Sequence, residues 1–95
     1  MPHRTNITHG QTLTVTVRSR QNLYFSGKVS AVSSVNAKGP FDILPHHIHF
    51  ISLIKNGVTI LKQDGTEQMV QFANGIVKVK DDIVEVYIGT GQKKQ

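Results

Sequence analysis

The 95-residue chain contains no cysteine and no tryptophan. Without cysteine, it cannot be a disulfide-stapled secreted module or carry a cysteine-ligated zinc or iron–sulfur centre. No apolar run approaches the ~20 residues that span a bilayer. Residues 1–6 are followed by no apolar segment of the kind that marks a signal peptide. We therefore expect one small, soluble, intracellular domain with no direct insertion into a membrane.

Acidic residues are also absent from the first 41 positions. Residues 1–41 hold five bases and no acid, whereas residues 42–95 hold six of each, so the net charge of +5 arises in the first part. Such a bias favours binding to nucleic acid, to an acidic protein surface or to an anionic membrane surface. The alternative is that these basic side chains are simply solvated on strand faces and bind no partner.

Apolar residues recur with period two, as where Leu13, Val15 and Val17 alternate with polar side chains. β-Branched residues dominate the strand-like segments, and pairs such as Asn56-Gly57 suit tight turns. No segment shows a convincing helical periodicity. The pattern predicts an all-β fold, a flattened β-sandwich or barrel of about ten short, mostly antiparallel strands. We expect a loose N-terminal segment at 1–10, a β-sandwich domain at 11–89 and a polar tail at 90–95.

The residue types of catalytic and metal sites occur, but not in convincing patterns. His47 and His49 would share a face of a strand and could reach one metal ion, with Asp42 or His9 as the available third ligand. Ser52, His49 and Asp42 are too close in sequence for a catalytic triad. The chain also lacks a phosphate-binding loop. We predict no catalytic residue, no cofactor and no dedicated metal site, with His47 and His49 as the candidates if a metal binds.

Basic and aromatic residues lie close together near the start of the chain. Arg18, Arg20 and Lys28 flank Tyr24 and Phe25. Small β-barrels bind single strands through basic grooves with aromatic stacking platforms, although core packing is the usual role of phenylalanine. A stand-alone basic β-barrel module that binds single-stranded nucleic acid is therefore one open interpretation.

Several short motifs occur in a characteristic order and spacing. They are Phe25-Ser26-Gly27, Gly39, Leu44-Pro45 and His47, followed by Gly75–Val79 and Val84–Val86. Over about residues 11–89 the chain thereby resembles the N-terminal β-sandwich of the epsilon subunit of rotary F-type ATP synthases. Phe25 and Leu44 are predicted core residues. The C-terminal helical hairpin of that family would begin after Gly89, and we expect it to be absent, together with inhibition and nucleotide sensing.

The resemblance implies a non-catalytic central-stalk subunit of a proton-translocating ATP synthase. Such a subunit clamps gamma to the c-ring, supports rotary coupling in ATP synthesis and binds no nucleic acid. Its location would be peripheral, at the cytoplasmic face of the bacterial inner membrane. The loop facing the c-ring would comprise Asn36, Ala37, Lys38, Gly39 and Pro40. The positions facing gamma would include Ser19, His47 and Ser52.

Overall fold

The computed structural model describes residues 11–45 and 48–89, which form seven strands and no helix. The strands are β1 (Leu13–Arg18), β2 (Leu23–Asn36), β3 (Gly39–Ile43), β4 (Phe50–Lys62), β5 (Glu67–Val70), β6 (Asn74–Lys80) and β7 (Ile83–Ile88). None of these residues belongs to a helix long and apolar enough to cross a membrane. The predicted all-β fold is confirmed. The predicted loose segments, 1–10 and 90–95, lie outside the described residues, as does His47.

The strands are hydrogen-bonded in the order β3-β2-β1-β7-β6-β4-β5, and β2 also pairs with β4. This additional pairing closes β1, β2, β4, β6 and β7 into a ring, while β3 and β5 extend it at either side. β1 and β7 run parallel, and the other pairs are antiparallel. β2 and β4 therefore each contribute to both layers of a sandwich.

Seven strands form in the described residues where about ten short ones were expected from the turn signals. The difference comes from β2 and β4, which are 14 and 13 residues long. Ser26-Gly27 lies inside β2, and Asn56-Gly57 lies inside β4. These two pairs do not end a strand, and the Asn56-Gly57 pair marks a place where β4 bends.

The bend in β4 is a bulge that depends on Gly57. Asn56 and Gly57 have φ angles of 65° and 82°, and the register of β2 against β4 shifts nearby. The buried Ser34 hydroxyl donates to the Gly57 carbonyl at 2.8 Å. A Cβ atom at position 57 would lie 2.4 Å from the Val70 carbonyl oxygen, so a side chain does not fit. The sequence pair therefore serves as a bulge and not as a hairpin turn.

The core lies between the two layers and consists almost entirely of β-branched and other aliphatic side chains. Its members are Leu13, Val15, Val17, Val29, Val32, Ile43, Ile54, Val58, Ile60, Val70, Val77, Val79, Val84, Val86 and Ile88. Phe25 is half-buried and packs against this core, as predicted. Leu44 is 40% exposed, so the prediction that it is a core residue was wrong. It follows Ile43, the buried last residue of β3, and the alternation of buried and exposed residues continues for one position beyond the strand.

Candidate binding surface

The solvent-facing sides of β1, β6, β7 and the first halves of β2 and β4 form one continuous surface, which we call the outer face. It arises from strand alternation: in β7, Val84, Val86 and Ile88 point into the core, so that Ile83 and Tyr87 point outward. The same alternation along β1, β6 and the first half of β4 sets most side chains of the outer face, whereas Leu23 of β2 reaches it at an irregularity in the pairing with β1. The outer face is therefore the reverse side of the layer that supplies most of the core.

A row of large side chains crosses the outer face from strand to strand. Leu53 lies opposite Ile76, Ile76 opposite Tyr87, Tyr87 opposite Arg18, and Arg18 opposite Leu23. Leu53 and Leu23 are 73% and 59% exposed, and the other two apolar members are also exposed. We call these five residues the cross-strand row. A contiguous exposed apolar surface on a small domain marks an interaction site.

Sequence reasoning missed this row, although a signal for it was present. A strand with one buried face alternates apolar and polar residues, but Ile76-Val77, Ile83-Val84 and Tyr87-Ile88 are consecutive apolar pairs. In each pair one residue is buried and the other exposed. Consecutive apolar residues in short strands therefore indicated a layer that is apolar on both sides.

The outer face is also basic. Its outward-pointing charges are five bases and one acid, namely Arg18, Lys28, Lys55, Lys78, Lys80 and Glu85. Two of the bases come from the first 41 residues and three from the rest of the chain. Strand pairing thus brings bases from both parts of the chain onto one positive surface. The count along the sequence had placed the excess of positive charge in residues 1–41 alone.

The five residues predicted to face the c-ring form the tip of the hairpin between β2 and β3. Asn36 pairs with Gly39, and the Lys38 amide N–H donates to the Asn36 side-chain oxygen at 2.9 Å. Ala37, Lys38 and Pro40 are exposed. Beside the tip lies a largely apolar cavity of about 260 Å³, lined by residues of β3 and by Ile48 and Phe50. The tip is thus a short polar projection beside an apolar hollow.

One hydrogen bond joins the hairpin tip to β4. The Asn36 side-chain amide donates to the Ser52 hydroxyl at 3.2 Å, and that hydroxyl donates to the Leu53 carbonyl at 3.0 Å. Ser52 is half-buried and faces the interior side of β4, between Ile51 and Leu53. The structure therefore brings together one residue predicted to face the c-ring and one predicted to face gamma.

Ser19 lies beside Arg18, far from Ser52 along the cross-strand row. It follows Arg18 directly, and β7 and β6 separate β1 from β4. β1 and β4 are therefore three strand spacings, about 14 Å, apart. Ser19 follows Arg18 and Ser52 precedes Leu53, so these two predicted gamma-facing residues adjoin different members of the row. The third, His47, lies outside the described residues.

The metal candidates do not form a site within the described part of the chain. His49 is exposed, and its Nε2 lies 3.3 Å from a carboxylate oxygen of Asp81. Residues 11–45 and 48–89 contain no group of three His, Cys, Asp or Glu side chains placed to hold a metal ion. One imidazole and one carboxylate leave a tetrahedral metal two ligands short.

Comparison with known proteins identifies the family. Residues 12–92 match the model of the ATP synthase, Delta/Epsilon chain, beta-sandwich domain. Two cryo-EM structures contain chains of similar fold, each 14% identical to this chain over 82% of its length. One is the Euglena gracilis mitochondrial ATP synthase, OSCP/F1/c-ring in rotational state 1, with a TM-score of 0.75. The other is the central stalk/c-ring of the Tetrahymena thermophila mitochondrial ATP synthase, with a TM-score of 0.66.

The similar chains are longer than this one. The match covers 51% of the Euglena chain and 63% of the Tetrahymena chain. The part that matches is the all-β domain described above, and the match to the family model extends over most of the chain. The chain therefore belongs to the family of ATP synthase delta/epsilon chains, of which it carries the β-sandwich domain.

Proposed function

We propose that this chain is a non-catalytic central-stalk subunit of a proton-translocating ATP synthase, which clamps gamma to the c-ring. The observation that carries the proposal is the cross-strand row, an exposed apolar stripe on a domain of the delta/epsilon family. In this proposal gamma covers the outer face, and the hairpin tip at 36–40 rests on the c-ring. The subunit transmits torque and does no chemistry of its own.

The outer face has the properties of a protein-binding surface. Full burial of a large aliphatic side chain contributes about 1.5–3 kcal/mol, and Leu53, Ile76 and Leu23 all have exposed area to bury. Tyrosine, such as Tyr87, is enriched among the residues that dominate binding energies. Ser19 follows Arg18 of this row in the chain, and Ser52 precedes Leu53 but faces the interior side of β4. An apolar centre with charged residues around it is the usual anatomy of such an interface.

The hairpin tip suits a polar partner such as the loops of a c-ring. Its backbone is held by the Asn36 side chain, which bonds both to the Lys38 amide and to the Ser52 hydroxyl. A tip fixed in advance loses little conformational entropy on docking. Because Ser52 adjoins Leu53 of the cross-strand row, the two proposed contact surfaces meet at β4. One rigid strand would then link the contact with gamma to the contact with the c-ring.

The proposed location is peripheral, on the membrane-associated synthase. The two similar structures are mitochondrial complexes, and a location at the cytoplasmic face of the bacterial inner membrane stays a prediction. Nothing in the proposal requires a cofactor or a metal ion.

Co-purification of the assembled synthase tests the proposal. In cells that lack the native subunit, the tagged full chain should recover gamma and the c-ring in detergent. Leu53→Ser should reduce that recovery severalfold, because it removes the most exposed apolar residue of the row. Met69→Ser is the matched control, since Met69 is 60% exposed on β5, outside the outer face. Equal recovery with both variants, or no recovery with the wild-type chain, would refute the proposal.

The nucleic-acid interpretation predicts a different outcome from the same protein. Tyr24 and Tyr87 are half-exposed beside basic residues of the outer face, whereas Phe25 packs against the core. If the chain binds single strands, its affinity for oligothymidylate should fall steeply with salt, because displaced counterions set the slope. Tight, salt-dependent binding of the oligonucleotide with no recovery of gamma would replace the rotor proposal.

A further inference from the structure

We propose that Arg18 and Arg20 form a carboxylate-binding site that receives an acidic side chain of gamma beside the Arg18 position of the cross-strand row. This inference rests on the function proposed above and deepens it. It assigns the chemistry that fixes the position of the partner along the row. The apolar residues alone would permit the partner to slide along the row, whereas an ion pair at Arg18 does not.

The two arginines line a common cavity. The cavity measures about 360 Å³ and is lined by Arg18, Ser19, Arg20, Tyr87 and Ile88. It is open to solvent on the outside, and its inner side is formed by the end of β7 beside the end of β1. A carboxylate fits easily in such a volume, and two guanidinium groups offer it paired N–H donors.

The backbone that carries Arg20 is held by Ser19. The Ser19 hydroxyl accepts hydrogen bonds from the amides of Gln21 and Asn22 at 3.3 and 3.2 Å. The Ser19 amide donates to the Asn22 carbonyl at 2.9 Å. This compact turn links β1 to β2 and fixes where Arg20 leaves the end of β1. The cavity is therefore shaped by backbone that is already ordered before a partner binds.

Neither arginine has an acidic partner within the described residues. His49 forms an ion pair with Asp81, and neither residue lines the cavity. The acid of the neighbouring strand β7, Glu85, lies opposite Thr16 and not opposite Arg18. Two positive charges in one cavity repel each other, and a carboxylate between them relieves this repulsion.

The position of the cavity favours a carboxylate on a protein over a free anion or a lipid phosphate. Arg18 is itself a member of the cross-strand row, opposite Tyr87 on one side and Leu23 on the other. Exposed ion pairs contribute little to binding, because water and salt screen them. A partner that covers the row excludes water from the same place and strengthens the ion pair. The apolar contact and the charge contact therefore belong to one protein surface.

Calorimetric titration of the full chain with the gamma subunit of the same organism tests the inference. The variant Arg18→Gln/Arg20→Gln keeps much of the side-chain volume and removes both charges. Its affinity for gamma should be at least about tenfold lower at low salt, and its salt dependence should be weaker than that of the wild-type chain. Lys38→Gln is the matched control, because Lys38 is an exposed base of the hairpin tip, outside both the outer face and the cavity. Its affinity should stay within about twofold of the wild type.

The outcomes separate this inference from the proposed function. If the wild-type chain binds gamma and the double arginine variant binds no more weakly than Lys38→Gln, the carboxylate site is refuted and the rotor function stands. If the wild-type chain does not bind gamma, both are refuted. Binding of the chain to vesicles of phosphatidylglycerol, lost in the double variant while binding to gamma is retained, would assign the arginines to lipid phosphate and overturn the inference.

A second readout locates the carboxylate directly. In the Arg20→Lys variant, a carbodiimide should join the new amine to an Asp or Glu side chain of gamma in a zero-length amide bond. Mass spectrometry then identifies the acidic residue. Lys28 of the same protein is the internal reference, and we expect no cross-link from it to that acidic residue. Cross-linking from Lys28 alone would contradict the assignment.

Discussion

Leu53 of β4 lies directly opposite Ile76 of β6, and both side chains point away from the core into solvent. The residues beside them in the chain, Ile54 and Val77, are almost completely buried. The layer that joins β4 to β6 is therefore apolar on both sides, and the fold covers only the inner side. This relationship is the physical basis for the expectation that a second protein covers the outer face.

The two leucine-sized residues Ile60 and Leu44 should respond very differently to truncation. Ile60 is completely buried in the core, so Ile60→Ala should lower the free energy of unfolding by about 2–5 kcal/mol. Leu44 is 40% exposed, so Leu44→Ala should cost less than about 1 kcal/mol. Urea unfolding followed by circular dichroism measures both. Similar losses in the two variants would show that the described burial is wrong.

Gly57 and Gly65 form a second matched pair. Both have positive φ angles, 82° and 91°, so alanine should be strained at either position by about 1–2 kcal/mol. A Cβ at position 57 would also meet the Val70 carbonyl oxygen at 2.4 Å, whereas a Cβ at position 65 would meet nothing within 4 Å. Gly57→Ala should therefore lower the melting temperature clearly more than Gly65→Ala. Equal shifts would argue against the bulge in β4.

Substitutions at the hairpin tip should distinguish effects on the stability of the domain from effects on its assembly with the c-ring. Lys38→Ala and Pro40→Ala remove exposed side chains and should change the free energy of unfolding by less than about 1 kcal/mol. Asn36→Ala removes two hydrogen bonds and should cost about 1–2 kcal/mol. In co-purification, Lys38→Ala should weaken recovery of the c-ring while recovery of gamma is retained. Unfolding of the domain by Lys38→Ala would show that the tip is structural.

Asp64 should make stability depend on pH. In the hairpin between β4 and β5 one carboxylate oxygen accepts hydrogen bonds from the Thr66 hydroxyl at 2.6 Å and from the Thr66 amide at 2.9 Å. These two hydrogen bonds lower the pKa of Asp64 in the folded chain, and the bond from the Thr66 hydroxyl has the larger effect. The unfolded chain then binds the proton more tightly, so this contribution to stability is present above about pH 4 and is lost as the pH falls through the lowered pKa.

Thr66→Ala measures that contribution. It removes the hydroxyl donor, so the wild-type chain should be more stable than the variant at neutral pH, and the difference should shrink in acid. Urea titrations between neutral and acidic pH provide the comparison. A difference that stays constant or grows as the pH falls would contradict the assignment of the lowered pKa to the Thr66 bonds.

The sequence predicted which strand residues are buried better than it predicted where the strands begin and end. The alternation of Leu13, Val15 and Val17 predicted buried strand positions correctly, because period-two patterning follows directly from the pleat. Asn56-Gly57 was read as a turn because a bulge and a hairpin need the same positive φ angles. Only tertiary pairing, here with β2 and with residue 73, distinguishes them.

The candidate surface was predictable in part. The resemblance assigned residues 36–40 to a loop facing the c-ring; they form the tip of the β2–β3 hairpin, and the contact with the c-ring stays a prediction. The cross-strand row was not predicted, since its members come from five strands and only the register places them side by side. The same holds for the positive outer face, to which both halves of the sequence contribute.

Site-directed cross-linking in the assembled synthase tests the rotor account most directly. Because the chain has no native cysteine, Ile76→Cys, Lys38→Cys and Met69→Cys each provide one unique position for a short photoactivated cross-linker. The account predicts that Ile76→Cys joins gamma, Lys38→Cys joins a c subunit and Met69→Cys joins neither. Cross-links to gamma from Met69→Cys and not from Ile76→Cys, or none to either partner, would contradict it.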